Sequence, residues 1–205
     1  MIAIVDLGLG NLFSVRQALQ YLKIPCTVTS DSAEIRKASK LILPGVGNFY
    51  KASEKLRETG LGELIRKEVL EQGKPILGIC LGMQLMAAYG EEGGGSPGLG
   101  LIPGRIRLLR SEDKSPRLPH VGWDDVQHGQ KGLFAGIPDN ACFYFVHSYA
   151  LMEFPADVET ATCEYEILFA AAFQKGHIAG FQFHPEKSQK HGLKLLENFT
   201  KSVHA

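Results

Sequence analysis

An excess of charge of one sign is missing from this sequence. Lys and Arg number 22 and Asp and Glu number 22, so no net field draws the chain to a phosphate backbone or an anionic membrane surface. Long hydrophobic runs are missing too. No stretch reaches the roughly 18 apolar residues needed to span a bilayer, and residues 1–11 (MIAIVDLGLGN) lack the basic segment, apolar segment and cleavage site of a secretory leader. These absences argue for a cytoplasmic protein without nucleic-acid or membrane partners. Cysteine is sparse as well. Cys26, Cys80, Cys142 and Cys163 are far apart with no Cys-x-x-Cys pair, so neither a disulfide framework nor a thiolate metal site is indicated. No cluster of His and Cys has ligand spacing, so no metal is expected, and nothing calls for a cofactor.

What is present reads as an ordinary globular fold. Apolar residues at 44% and charged residues at 21% are the proportions of a soluble protein, and 205 residues suit a single domain, residues 1–205. Residues 1–6 (MIAIVD) form a short apolar run ending in a Gly-rich turn. Leu12, Val15, Leu19 and Leu22 follow at helical spacing, then the β-rich Cys26-Thr27-Val28-Thr29. The alternation recurs: Leu41-Ile42-Leu43 reads as a buried strand, Leu61, Leu64, Ile65 and Val69 as a helix face, and residues 75–79 (PILGI) as another strand. Such strands, buried on both sides, predict an α/β fold with a mainly parallel central sheet and helices on both faces. Residues 90–98 (GEEGGGSPG) are too Gly-rich for regular structure and read as a loop. Beyond them the apolar runs are short and turn-punctuated, at 106–109, 142–146, 167–173 and 178–183. This half reads as an antiparallel extension with a closing strand and a final helix over 189–203.

One motif invites a wrong reading. Gly8-Leu9-Gly10-Asn11-Leu12-Phe13 lies where a dinucleotide-binding Gly-x-Gly-x-x-Gly would sit, but its third glycine is Phe13. A tight strand-to-helix turn with Asn11 as N-cap is the better reading. Ser30-Asp31-Ser32 likewise suits the N-cap of the next helix.

Three other pieces carry chemistry. Gly78-Ile79-Cys80-Leu81-Gly82-Met83-Gln84 puts a cysteine between a buried strand and a helix, with a glycine two residues to either side. This has the logic of a nucleophile elbow: the nucleophile stands on a strained turn, and the next backbone N–H can stabilise an oxyanion. A helix start also favours thiolate over thiol. Taken alone, Cys80 could equally be a packed turn residue; Cys26, Cys142 and Cys163 read as small buried hydrophobes. The second piece is His184-Pro185-Glu186 after the run 178–183, where residues two apart can face one side and Glu186 can orient the His184 imidazole. The other histidines have no such partner, except that His147, ending the run 143–146, can line a pocket. The third is Pro44-Gly45-Val46-Gly47-Asn48-Phe49, at the carboxyl end of a predicted parallel strand, where ligands gather. It is either a plain turn or an oxyanion loop that works with the Leu81 amide.

Together these pieces resemble the class I (triad) glutamine amidotransferases. With Glu91-Glu92-Gly93, His120-Val121-Gly122-Trp123, residues 145–149 (FVHSY) and residues 183–188 (FHPEKS), the chain resembles, from first strand to final helix, that family's glutaminase subunits of imidazole glycerol phosphate synthase. The resemblance implies a Cys80-His184-Glu186 triad and an oxyanion hole from Val46, Gly47 and Leu81. It also implies that Gln84 and Glu92 hold L-glutamine, helped by backbone at Gly47, Ser148 and Tyr149. A surface amide is the alternative for Gln84. Leu7, Val121 and Asp124 depart from the family's usual tyrosine, methionine and asparagine, and an added carboxylate at 124 would need a matching partner charge.

The resemblance further implies a separate cyclase subunit to receive the ammonia. Asn11, Phe49, Trp123, Tyr144 and Lys187 flank the catalytic loops and include residue types enriched at interfaces, although Trp123 and Tyr144 could equally be core aromatics. The glutaminases of vitamin B6 or anthranilate synthesis, and a non-catalytic module on the same fold, are the competing readings.

Overall fold

Buried strands and amphipathic helices alternate through residues 1–85. The computed structural model describes residues 1–153 and 157–202. In order come β1 (Ile2–Val5), α1 (Leu12–Tyr21), β2 (Cys26–Thr29), α2 (Ser32–Lys37), β3 (Lys40–Gly45), α3 (Phe49–Glu58), α4 (Leu61–Leu70), β4 (Ile76–Cys80) and α5 (Leu81–Leu85). The caps follow the sequence. The side chain of Asn11 accepts from Ser14 N, that of Asp31 from Ala33 N and Glu34 N, and that of Asn48 from Lys51 N.

The remaining elements are β5 (Tyr89–Gly90), β6 (Ser96–Pro97), β7 (Arg105–Leu108), β8 (His120–Val126), β9 (Ala141–His147), β10 (Tyr149–Leu151), β11 (Glu159–Tyr165), β12 (Ile167–Lys175), β13 (Ile178–Phe181) and α6 (Gln189–Lys201). The segment expected as a loop at 90–98 therefore contributes to two very short strands, which join β7 and β10 in a small sheet. The final helix ends at Lys201, and Val203 lies outside the described residues.

The main sheet has seven strands in the order β11-β12-β13-β4-β3-β1-β2. From β13 to β2 the pairs are parallel, and β11 and β12 extend the edge antiparallel. Side chains alternate across each strand, so a strand buried on both faces feeds two cores. Ile2, Ile4, Ile42, Leu77 and Ile79 face one core, with α1 and α6; Ala3, Val5, Leu41, Leu43 and Ile76 face the other, with α2 to α5. The β8–β9 ribbon lies on the first side, with His120 opposite His147 and Trp123 opposite Tyr144. Closing the order, β13 lies beside β4, so the turn after Phe181 stands next to Cys80. Among the described residues no helix is long and apolar enough to cross a membrane.

The cysteines divide more finely than composition suggested. Cys163 is buried, Cys26 is half-buried, and Cys142 is exposed, its thiol donating to Asp125 Oδ1 at 2.7 Å. Cys142 sits on the outward phase of β9, which is why the small-hydrophobe reading fails for it.

Candidate active site

Cys80 ends β4 with φ 53° and ψ −112°, a left-handed conformation that costs a non-glycine residue about 1–3 kcal/mol and that clusters at functional sites. The flanking glycines have a steric cause. A Cβ on Gly78 would lie 2.6 Å from Met83 N, and one on Gly82 would lie 1.7 Å from Leu43 O. Only bare backbone lets α5 turn back against β3 and β4 so tightly, and the tight turn holds the thiol at the sheet's carboxyl edge. Gly45 is paired with Cys80 in register, so the loop after β3 starts beside the nucleophile.

His184 and Glu186 meet this thiol from the turn after β13. Glu186 Oε1 accepts from His184 Nδ1 at 2.8 Å, and both side chains are almost fully buried. His184 Nε2 is buried without a partner of good hydrogen-bond geometry, yet it is close enough to Cys80 for the thiol to act on it. Burial by itself would lower the basicity of His184. The hydrogen bonds and charges of Cys80 and Glu186 outweigh that and raise it to about 10, so the ring is an imidazolium at neutral pH.

A cleft of about 250 Å³ opens beside Cys80. It brings together Val46, Gly47, Leu81, Gln84, Glu92, Ser148 and Tyr149, with Pro119, Val146 and His147. Gln84 is buried, not a surface amide: its Nε2 donates to Tyr149 O at 2.7 Å and to Gln182 Oε1 at 3.0 Å. Glu92 Oε2 accepts from Phe49 N at 2.6 Å, a carboxylate at the first turn of α3. Leu81 opens α5, so its amide is among the helix-start N–H groups with no intrahelical acceptor. Gly47, at φ 108°, gives the facing loop a conformation closed to most residues. The cleft thus offers a thiol paired with an imidazolium, amides around it and a polar wall, the equipment for acyl transfer from a small polar amide.

The pattern of the class-I glutamine amidotransferase family matches residues 3–203. The chain belongs to the class-I glutamine amidotransferases. Its similarity extends to particular members. The imidazole glycerol phosphate synthase subunit HisH of Moorella thermoacetica is 48% identical, covering 98% of this chain and 95% of that one. The HisH subunit of Herpetosiphon aurantiacus is 45% identical, over 97% and 93%. A solved glutamine amidotransferase from Thermotoga maritima shares the fold with a TM-score of 0.60 at 17% identity, covering 97% of this chain and 81% of that one.

In this amidotransferase, residues expected to meet a partner divide. Trp123 is 45% exposed, stands edge-on to Tyr144 at 6.0 Å, and Lys187 Nζ lies 5.4 Å from the Tyr144 ring. The three form one surface cluster, with Tyr144 half-buried. Asn11 is exposed at the start of α1, whose Phe13 and Tyr21 also stand out to solvent. Phe49 does not belong with them. It is fully buried, because it begins α3 and its ring packs into the second core.

Three polar side chains escape sequence reasoning as candidate site residues. Gln182 is fully buried between Phe181 and Phe183, accepts from Gln84, and points its Nε2 at Cys80 Sγ, 3.8 Å away. An amide inside an apolar strand run was its signal, since such a group needs partners. His120 and Asp124 are the others. His120 Nε2 lies 2.7 Å from Asp124 Oδ2, so a histidine beyond His184 and His147 does have a carboxylate partner. Asp124 thus finds a hydrogen-bond partner on its own strand, where residues four apart share a face.

Proposed function

We infer that this chain is the glutamine-hydrolysing subunit of an imidazole glycerol phosphate synthase, and that Cys80, His184 and Glu186 do its chemistry. The observation that carries the roles is the strained Cys80 standing beside a buried imidazole whose far nitrogen is held by a buried carboxylate. The Cys80 thiolate attacks the carboxamide carbon of glutamine and forms a tetrahedral oxyanion. Amides of Val46, Gly47 and Leu81 stabilise that charge. His184 Nε2–H protonates the departing nitrogen, releasing ammonia and leaving a thioester. The neutral imidazole then takes a proton from water, the hydroxide adds to the acyl carbon, and glutamate leaves as the thiolate re-forms. Glu186 keeps the ring in register throughout. Gln84 and Glu92, with backbone at Gly47, Ser148 and Tyr149, hold the amino-acid end of the substrate; every one of them lines the cleft.

Ammonia released into water is protonated and lost, so the reaction needs an acceptor close by. A cyclase subunit, the second half of the synthase, receives it through the face marked by Asn11, Trp123, Tyr144 and Lys187, and the complex works in the cytoplasm as a heterodimer. The test is glutamate release by the wild-type and Cys80→Ala chains, with and without the cyclase and its nucleotide substrate. Activity in the wild-type complex and none with Cys80→Ala is expected. Substantial turnover by Cys80→Ala would end the assignment.

A further inference from the structure

A chain of hydrogen bonds runs from the surface of β8 into the wall of the cleft. Asp124 Oδ2 lies 2.7 Å from His120 Nε2, His120 Nδ1 lies 3.0 Å from His147 Nε2, and His147 Nδ1 lies 3.0 Å from Tyr149 O. That same carbonyl accepts from Gln84 Nε2, and Gln84 leads through Gln182 to Cys80. The rings are held still. His120 is stacked between Tyr165, at 4.1 Å, and Phe145, at 4.9 Å, and both histidines are buried.

Counting protons along this chain gives a definite answer. Each of the three contacts needs one proton between its two atoms, because a carbonyl and a carboxylate only accept. Two neutral imidazoles and a carboxylate supply two. A third proton is therefore required to complete the chain. When it is missing, the carboxylate, as the strongest acceptor, keeps its N–H. The vacancy falls on an inner contact, at His147 or at the Tyr149 carbonyl.

We propose that Asp124, His120 and His147 are positioning residues for the glutamine cleft, and that the third proton on this chain decides whether the Tyr149 carbonyl keeps its anchor. The groups around the chain come from every neighbouring strand. Asp124 and His120 are on β8, His147 on β9, Cys163 and Tyr165 on β11, with His184 beyond His147. Burial lowers the basicity of His120, opposed by its hydrogen bond to Asp124 and by the Asp124 charge. The sign follows: the third proton is held in acid and lost as pH rises through a value below the ordinary 6.5 of histidine. An asparagine at 124 would complete the chain with its own N–H, at any pH.

The proposal rests on the glutaminase reading, since Gln84 is taken as part of the glutamine clamp. Its test is the KM for glutamine of the complex with cyclase, for wild type, Asp124→Asn and Asp124→Ala, between about pH 5 and pH 8. The ratio of wild-type KM to that of Asp124→Asn is expected to rise by about tenfold across this range, the size of one buried hydrogen bond, with kcat moving much less. Asp124→Ala leaves two contacts for two N–H groups, so its KM, like that of Asp124→Asn, should not follow the wild-type rise with pH. A constant ratio, or an alanine variant whose KM follows the wild-type pH dependence, overturns the proposal. A second readout needs neither turnover nor a variant. Nitrogen-15 shifts of the wild-type histidine rings at about pH 5 should show His147 as the Nδ1–H tautomer. The Nε2–H tautomer there would refute the chain while leaving the glutaminase reading untouched.

Discussion

The molecule holds two histidine–carboxylate pairs of nearly equal length, His184–Glu186 at 2.8 Å and His120–Asp124 at 2.7 Å, and although burial lowers the basicity of both rings, their net shifts are opposite. His184 is raised to about 10 although buried, because two groups that welcome a positive ring, Cys80 and Glu186, act on it together. His120 is lowered, because burial, with aromatic rings over its faces, outweighs its hydrogen bond to Asp124 and the Asp124 charge, and no second such group acts on it. A carboxylate contact alone therefore does not make a buried histidine cationic. What lies on the other nitrogen decides.

Removing the group that distinguishes the two pairs should have the largest effect. Cys80→Ala is expected to cut glutamate release by about 10⁴-fold or more, and ring NMR should find His184 titrating well below its wild-type value. A ring still titrating near 10 in that variant would assign the shift to Glu186 alone. Glu186→Gln comes next, with kcat about 100-fold lower and KM little changed, measured as glutamate release at saturating cyclase. Gln182→Leu tests the link between nucleophile and clamp. It should raise the KM for glutamine several-fold and reduce unfolding stability in urea by about 1–3 kcal/mol, because Gln84 loses a buried acceptor.

The smallest effect is in the pH dependence of stability, and it has two signs. His184, raised above 6.5, gives stabilisation that is complete below that value and is lost as pH climbs through about 10. His147 is pushed down to about 3, first by burial, then by His120, so its contribution is present above 6.5 and disappears as pH falls through about 3. The thermal midpoint should decline by a few degrees on both sides of a plateau near neutral pH. Glu186→Gln should flatten the alkaline side only; flattening of both would mean that the two histidines titrate as one system.

Local patterns along the chain foretold much of this protein. The apolar runs alternating with helical spacing specified the parallel sheet, because strand and helix periodicity are properties of neighbouring residues. The elbow was legible for the same reason. Glycines at 78 and 82 around Cys80 are a local steric requirement, and the distances at both glycines show why. Asn11, Asp31 and Asn48 announced helix starts through their own side chains.

What depended on distant segments had to wait for the tertiary structure. The burial of Phe49, the exposure of Cys142, and the chain that leads from Asp124 through two histidines to Tyr149 each depend on which strands become neighbours. So does the basicity of His184, since burial and the approach of Cys80 exist only once β13 lies beside β4. Sequence alone determined which residues could do chemistry, through their type and local turn. The fold decided which of them carry a proton, because a proton's place is set by what faces each nitrogen and how little water remains there.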